Sequence, residues 1–232
     1  MSIAGQIVLI TGGSRGIGKA LAAALAGQGM SVVITGRDAQ QLEIAVRELG
    51  SQVTGIVADA ANAEHTALVV DRVIADFGRI DVLINNAGTA GPGGPLLATD
   101  AGDWWRVQEV NVRGPMLYMQ AVVPHMASGT IINIGSYAGA RPTPGNAAYA
   151  TSKAALARLT DSVAHEVADT GISALCVSPG LVAKLIEKDV RPLNGLFLHV
   201  DDDIDELLSE AQKIRSDGLY QLGVHRLEGR VE

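Results

Sequence analysis

Six short runs of β-branched and aliphatic residues alternate with longer segments of helical spacing, and this alternation restricts the chain to few architectures. The runs are 7–10 (IVLI), 32–35 (VVIT), 53–58 (VTGIVA), 80–85 (IDVLIN), 130–134 (TIINI) and 172–177 (ISALCV). Between them, residues 17–28, 39–48, 63–77, 103–127 and 147–168 repeat apolar side chains every three to four positions, which predicts helices. Strands that are nearly continuous in apolar residues, rather than alternating, predict a parallel sheet covered on both faces. Parallel strands need crossover connections of one hand, so the expected class is α/β: a doubly wound parallel sheet of the Rossmann type. No repeat or low-complexity linker divides the 232 residues, and 47% of them are hydrophobic. One domain over 1–203 is expected, with an extension over 204–232.

Charge and composition narrow the partners. A formal net charge of -7 without a Lys/Arg cluster argues against nucleic acid and against an anionic membrane surface. No apolar stretch approaches the roughly 20 residues that span a bilayer. A strand-like run already begins by Gln6, where a secretory leader would have its charged and apolar regions, so a cytoplasmic protein is expected. Histidines 65, 125, 165, 199 and 225 show no metal-ligand spacing, and the single cysteine, Cys176, sits in an apolar run as a buried small hydrophobe. No metal is expected.

The stretch LITGGSRGIGKAL places Gly12, Gly16 and Gly18 between the first strand and the first long helix. A tight strand-to-helix turn needs residues without Cβ where a phosphate must come close. The helix N-terminus beyond it offers unpaired N–H groups to a pyrophosphate. Glycines also mark ordinary turns, but this position in the strand–helix order favours a dinucleotide. An acidic residue at the end of the second strand would bind the ribose hydroxyls of NAD. The strand instead ends VVITGRD, with Gly36 and Arg37 in that place. Arg15 lies in the glycine loop, and two guanidinium groups suit a 2′-phosphate. Asp38 immediately precedes a helical segment and is expected to cap it. NADP (NADPH) is the expected cofactor, with NAD as the alternative.

In AAYATSKAA, Tyr149 and Lys153 stand four apart, on one face of a helix. Such pairs are often no more than a packed ring and a solvated amine. A phenol ionises near pH ~10, and a fixed cation beside it favours the phenolate, so the pair is also suited to moving a proton at neutral pH.

Several motifs occur in one order: TGGSRGIG (11–18), NNAG (85–88), Asn111 in VNVRG, Ser136 in NIGSYAG, YATSK (149–153) and SPG (178–180). Together they resemble the short-chain dehydrogenase/reductase family over residues 5–180. The resemblance implies a seven-stranded sheet, NAD or NADP as cofactor, and interconversion of a secondary alcohol and a carbonyl. It implies a catalytic set of Asn111, Ser136, Tyr149 and Lys153. Tyr149 would be general acid/base, Ser136 would bind the substrate oxygen, Lys153 would assist Tyr149 and hold a ribose, and Asn111 would hold a relay water. It also implies cofactor contacts from Gly12, Ser14, Arg15, Gly16, Ile17, Gly18, Arg37, Asp59, Asn86, Ala87, Gly88, Tyr149, Lys153, Pro179 and Gly180. A homodimer or homotetramer, built partly on the helices over 103–127 and 147–168, is a further implication. A dinucleotide-binding sensor or scaffold without turnover is the rival reading.

Departures begin after SPG. The family's Thr four residues past Gly180 is Lys184 here. GLFLHVDDD (195–203) is expected to be the final strand, with Asp202 and Asp203 replacing two glycines. This leaves 181–194 short for a substrate lid, and AKLIEKDV (183–190) is expected as a remnant helix. The glycine- and proline-rich stretch 89–95 is expected to be a mobile loop above the sheet. Beyond 203, Ile204, Leu207, Leu208, Ala211 and Ile214 predict an amphipathic helix with an acidic start, buried on its own domain or on a neighbouring subunit. The tail LYQLGVHRL is expected to be a strand or an extended arm.

Overall fold

The structure, a computed structural model, describes residues 3–178, 191–198 and 203–217. The expected strands form at β1 (Ile7–Ile10), β2 (Ser31–Gly36), β3 (Val53–Val57), β4 (Val82–Asn85), β5 (Ser128–Ile134) and β6 (Gly171–Val177). A two-residue β7 (Phe197–Leu198) completes a seven-stranded sheet of order β3-β2-β1-β4-β5-β6-β7. Every neighbouring pair is parallel. Among the described residues of the expected final strand 195–203, these two are strand; residues 199–202 lie outside the described residues.

The helices between strands are α1 (Gly16–Gly27), α2 (Ala39–Leu49), α3 (Ala63–Phe77), α4 (Ala101–Gln108), α5 (Gly114–Val122) and α6 (Ala147–Glu166). Asp38 caps α2 as expected, its Oδ1 accepting from Gln41 N at 3.0 Å. Successive residues on a strand point to opposite faces, so a continuous apolar run feeds two cores at once. On β1, Val8 and Ile10 join Ala22, Leu25, Leu42 and Ala45 from α1 and α2 on one face. Ile7 and Leu9 join Val69, Val73, Tyr118 and Val122 from α3 and α5 on the other. The edge strand β3 is covered less completely: Val53 is buried but Val57 is exposed.

Two expectations need correction. The helix predicted over 103–127 is not continuous: five residues, Glu109–Arg113, form a π-turn between α4 and α5. There the Gly114 N–H reaches back to the Glu109 carbonyl. The physical reason is Pro115, which lacks the N–H that would bond the Asn111 carbonyl in an α-helix. The stripe beyond 203 is likewise split, into α7 (Ile204–Ser209) and α8 (Ala211–Ser216) about Glu210. Asp203 caps α7, accepting from Asp205 N and Glu206 N, which accounts for an acidic residue at that point. Ile204, Leu207, Ala211 and Ile214 bury into the same cluster as β1 and β6, with Leu208 partly buried against it. Their apolar surface is therefore covered by their own chain. Residues 183–190 and the tail 218–232 lie outside the described residues.

Candidate active site

The glycine loop and the NNAG segment are bound into one unit at the carboxyl ends of β1 and β4, where the strand order reverses. Ligands of open α/β sheets bind at such switch points. Thr11 Oγ1 accepts from the Asn86 and Ala87 N–H groups at 3.1 and 3.0 Å. Asn86 Nδ2 donates in return to the Thr11 and Gly12 carbonyls at 2.9 and 3.0 Å. The approach is so close that a Cβ on Gly12 would lie 2.9 Å from Ala87 Cα, and one on Gly18 would lie 2.4 Å from Asn86 Nδ2. Gly16 is glycine for another reason: its φ of +57° is left-handed, with open space around it. Arg15 occupies the N-cap of α1 without a side-chain capping bond, and the first turn holds no acidic residue. The helix N–H groups are thus left without an anionic side chain of their own.

Beside this unit lies a cleft of about 880 Å³, whose lining includes Gly12, Ser14, Arg15, Gly16, Ile17, Arg37, Asp59, Asn86, Ala87 and Gly88. Of the expected cofactor residues, Gly18 packs behind the loop rather than on the cleft, and Pro179 and Gly180 lie outside the described residues. Asp59 is fixed from two sides: its Oδ1 accepts from Ala61 N at 3.0 Å and its Oδ2 from Arg106 Nη2 at 2.8 Å. Partial burial pulls its carboxyl up, but the Ala61 N–H and the Arg106 guanidinium outweigh this and hold it below the usual carboxylate range. Arg15 and Arg37 are exposed and form no ion pair among the described residues.

The other expected residues gather around Lys153. The residue is 5% exposed, its Nζ donates to the Ile134 carbonyl at 2.6 Å, and that nitrogen lies 5.6 Å from the centre of the Tyr149 ring. Burial pushes its ammonium down to about 8. A Cβ on Gly88 would stand 3.8 Å from Lys153 Nζ and 3.3 Å from Asn111 Oδ1, so the cleft and the Tyr149–Lys153 helix meet at Gly88. Asn111, fully buried in the π-turn, accepts from Thr89 N at 2.8 Å and donates to the Thr89 carbonyl and to Ser152 Oγ, both at 2.9 Å. Both its amide protons are thus engaged within the fold. These bonds also tie down the start of the 89–95 loop, and Gly94 N donates to the Gly145 carbonyl at 2.8 Å across its far end. Ser136 closes the turn Tyr137–Ala140 after β5, its Oγ accepting from Ala138 N at 3.2 Å. That turn packs on α6 so tightly that a Cβ on Gly139 would lie 2.7 Å from the Lys153 carbonyl carbon.

Residues 6–193 match the family model described as short chain dehydrogenase. The chain belongs to the short-chain dehydrogenase family. Among its relatives is a short chain dehydrogenase of Pseudocercospora fijiensis, 37% identical over 186 residues, covering 77% of this chain and 60% of that protein. A 3-oxoacyl-[acyl-carrier-protein] reductase of Synechocystis sp. is 39% identical over 191 residues, covering 78% and 76%. Among solved structures, NAD+-bound xylitol dehydrogenase superposes with a TM-score of 0.82 at 28% identity, covering 86% of this chain and 99% of that one. A metagenomic short-chain oxidoreductase in complex with NADP superposes with a TM-score of 0.74 at 36% identity, covering 81% and 90%. The chain is accordingly an oxidoreductase of a family that uses NAD or NADP. The two solved neighbours hold different cofactors and do not discriminate between them.

Within this short-chain dehydrogenase, four structural partners escaped the sequence reading: Thr11, Arg106, Gly139 and Ser152. Thr11, Gly139 and Ser152 carried a signal, since each lies inside one of the quoted motifs. Arg106 carried none, because 47 residues separate it from Asp59 and only the packing of α4 joins them. No cluster of side chains suited to a metal ion occurs among the described residues, and no helix there is long and apolar enough to cross a membrane.

Proposed function

We propose that this chain interconverts a small secondary alcohol and the corresponding carbonyl by hydride transfer, with NADP(H) preferred over NAD(H). The observation that carries the reading is the buried Lys153, 5.6 Å from the centre of the Tyr149 ring and close to Gly88 of the cleft lining. The dinucleotide fits the residues present: a glycine cradle, an uncapped helix start, and a cleft of about 880 Å³. When bound, it supplies the chemistry of hydride donor or acceptor.

The chain's own groups handle the proton and the charge. The Tyr149 hydroxyl donates a proton to the carbonyl oxygen in reduction and accepts it from the alcohol in oxidation. Lys153 places a positive charge beside that phenol, and its fixed bond to Ile134 keeps the charge in position. Ser136 Oγ already accepts from Ala138 N, so its own proton is free to bind the substrate oxygen where negative charge develops. Arg15 and Arg37 favour NADP, because both line the cleft and neither is neutralised by an ion pair among the described residues. Asp38 also lines the cleft, with its Oδ1 turned to the cap of α2. The large exposed side chains Leu97 and Trp105, at and just before α4, support assembly as a homodimer or homotetramer. The single buried cysteine suits the cytoplasm.

Titration with NADPH and NADH, followed by assay against a panel of ketones and diketones, tests the proposal. Tighter NADPH binding with turnover is expected. Tyr149→Phe should abolish turnover with NADPH affinity within a few-fold, and Arg37→Asp should shift preference toward NADH. Binding without any turnover would instead support the sensor reading, and an unchanged cofactor preference in Arg37→Asp would overturn the phosphate-binding argument.

A further inference from the structure

Ser152 precedes Lys153 in sequence and points away from it, into the fold. It is fully buried, and its Oγ has two partners: it accepts from Asn111 Nδ2 at 2.9 Å and donates to the carbonyl of Tyr149 at 2.7 Å. The hydroxyl therefore joins the π-turn to the first turn of α6 at the residue that bears the proposed acid/base group. Asn111 in turn grips both backbone groups of Thr89, which with Gly88 belongs to the cleft wall. A continuous path of hydrogen bonds thus runs from the cleft wall through Asn111 and Ser152 to the Tyr149 backbone. α6 contains a second buried hydroxyl in a similar arrangement. Thr160 Oγ1 accepts from Asn133 Nδ2 at 2.8 Å and donates to the Leu156 carbonyl at 2.7 Å, two turns farther along. Thr160 ties α6 to β5, whereas Ser152 ties it to the cleft wall.

We infer that Ser152 is a positioning residue for the reaction, setting the Tyr149 turn of α6 relative to the cleft through Asn111. This rests on the role proposed for Tyr149. Without the hydroxyl, one buried Asn111 proton loses its acceptor and the Tyr149 turn loses its tie to the segment beside Gly88. A displacement of well under a bond length in the acid/base group is enough to slow proton transfer.

The experiment compares Ser152→Ala with Thr160→Val, which removes the matched hydroxyl while keeping the side chain's shape. Both variants should lose comparable thermal stability. Ser152→Ala should lower kcat at least about tenfold with NADPH affinity within about twofold, as expected of a misplaced reacting group. Hydrogen exchange in the 149–153 turn of the ligand-free protein should quicken in Ser152→Ala and stay unchanged in Thr160→Val. Ser152→Cys, which keeps a weak donor in similar volume, should recover part of the rate. A Ser152→Ala protein with the parental kcat and exchange rate, beside an inactive Tyr149→Phe, overturns this inference and leaves the proposed function standing. An equal loss of kcat in Thr160→Val also overturns it, because loosening of α6 in general would then explain the effect. An active Tyr149→Phe overturns the proposed function and this inference with it.

Discussion

Three glycines of α1 and its entry turn should respond to alanine with different signs, although a propensity argument treats them alike. A glycine-to-alanine change inside a helix gains about 1 kcal/mol from propensity alone. At Gly18 the new Cβ would lie 2.4 Å from Asn86 Nδ2 and 2.5 Å from the Gly12 carbonyl oxygen. The second neighbour is backbone and yields little, so Asn86 must move. Its bonds to the Thr11 and Gly12 carbonyls then go, at about 1 kcal/mol each, and overpacking adds about 1–3 kcal/mol. Subtracting the propensity gain leaves a net loss of about 2–4 kcal/mol for Gly18→Ala. In a chain of this size that lowers Tm by roughly 5–15 °C. Gly27 closes the same helix with no atom within 4 Å of its Cβ position, so Gly27→Ala should gain about 0.5 kcal/mol. Gly16 has open space but a φ of +57°, so Gly16→Ala should lose about 1 kcal/mol from backbone strain alone. Urea unfolding followed by the fluorescence of Trp104 and Trp105 would read these as shifts in midpoint at constant slope. Gly18→Ala at or above the parental midpoint, or Gly27→Ala losing as much as Gly18→Ala, would refute the packing argument.

The buried lysine predicts a pH signature. Because burial lowers Lys153 to about 8, below the ordinary lysine value of about 10.4, its charge is carried at a cost in the folded state. That cost, about 3 kcal/mol at neutral pH, fades as pH rises from about 8 toward 10.4. The unfolding free energy of the parent minus that of Lys153→Met should therefore climb across this window, and a flat difference would refute the assignment. In the cleft wall, Arg106→Met should weaken NADPH binding several-fold by releasing Asp59, yet lower stability by less than about 1 kcal/mol because the pair is partly exposed. Since Arg106 holds the Asp59 carboxyl low, its stabilisation should be present at neutral pH and be lost as pH falls through the carboxylate range. Acid titration of both proteins checks this, and identical profiles would count against the pair.

Much of the fold was legible because the signals were local. Apolar runs such as IVLI and TIINI declare strands with two buried faces, and glycines at 12, 16 and 18 declare a sharp strand-to-helix turn. The order of the motifs, from TGGSRGIG to YATSK, was enough to place Asn111, Ser136, Tyr149 and Lys153 in one family's pattern. By itself the sequence thus determined the fold class, the family and the identity of the candidate site residues. What these groups do to one another was settled by tertiary contact. Periodicity carried the helix at 103–127 past Pro115, because apolar spacing does not record a missing N–H, and the π-turn that buries Asn111 was invisible to it. Asp59 acquires Arg106 only when α4 packs beside the end of β3. Gly18 must be glycine because Asn86, from the loop after β4, occupies the space a Cβ would need, and Ser152 answers to Asn111 on a different helical segment. The depressed lysine depends on burial, which is a property of everything around it rather than of its neighbours in sequence.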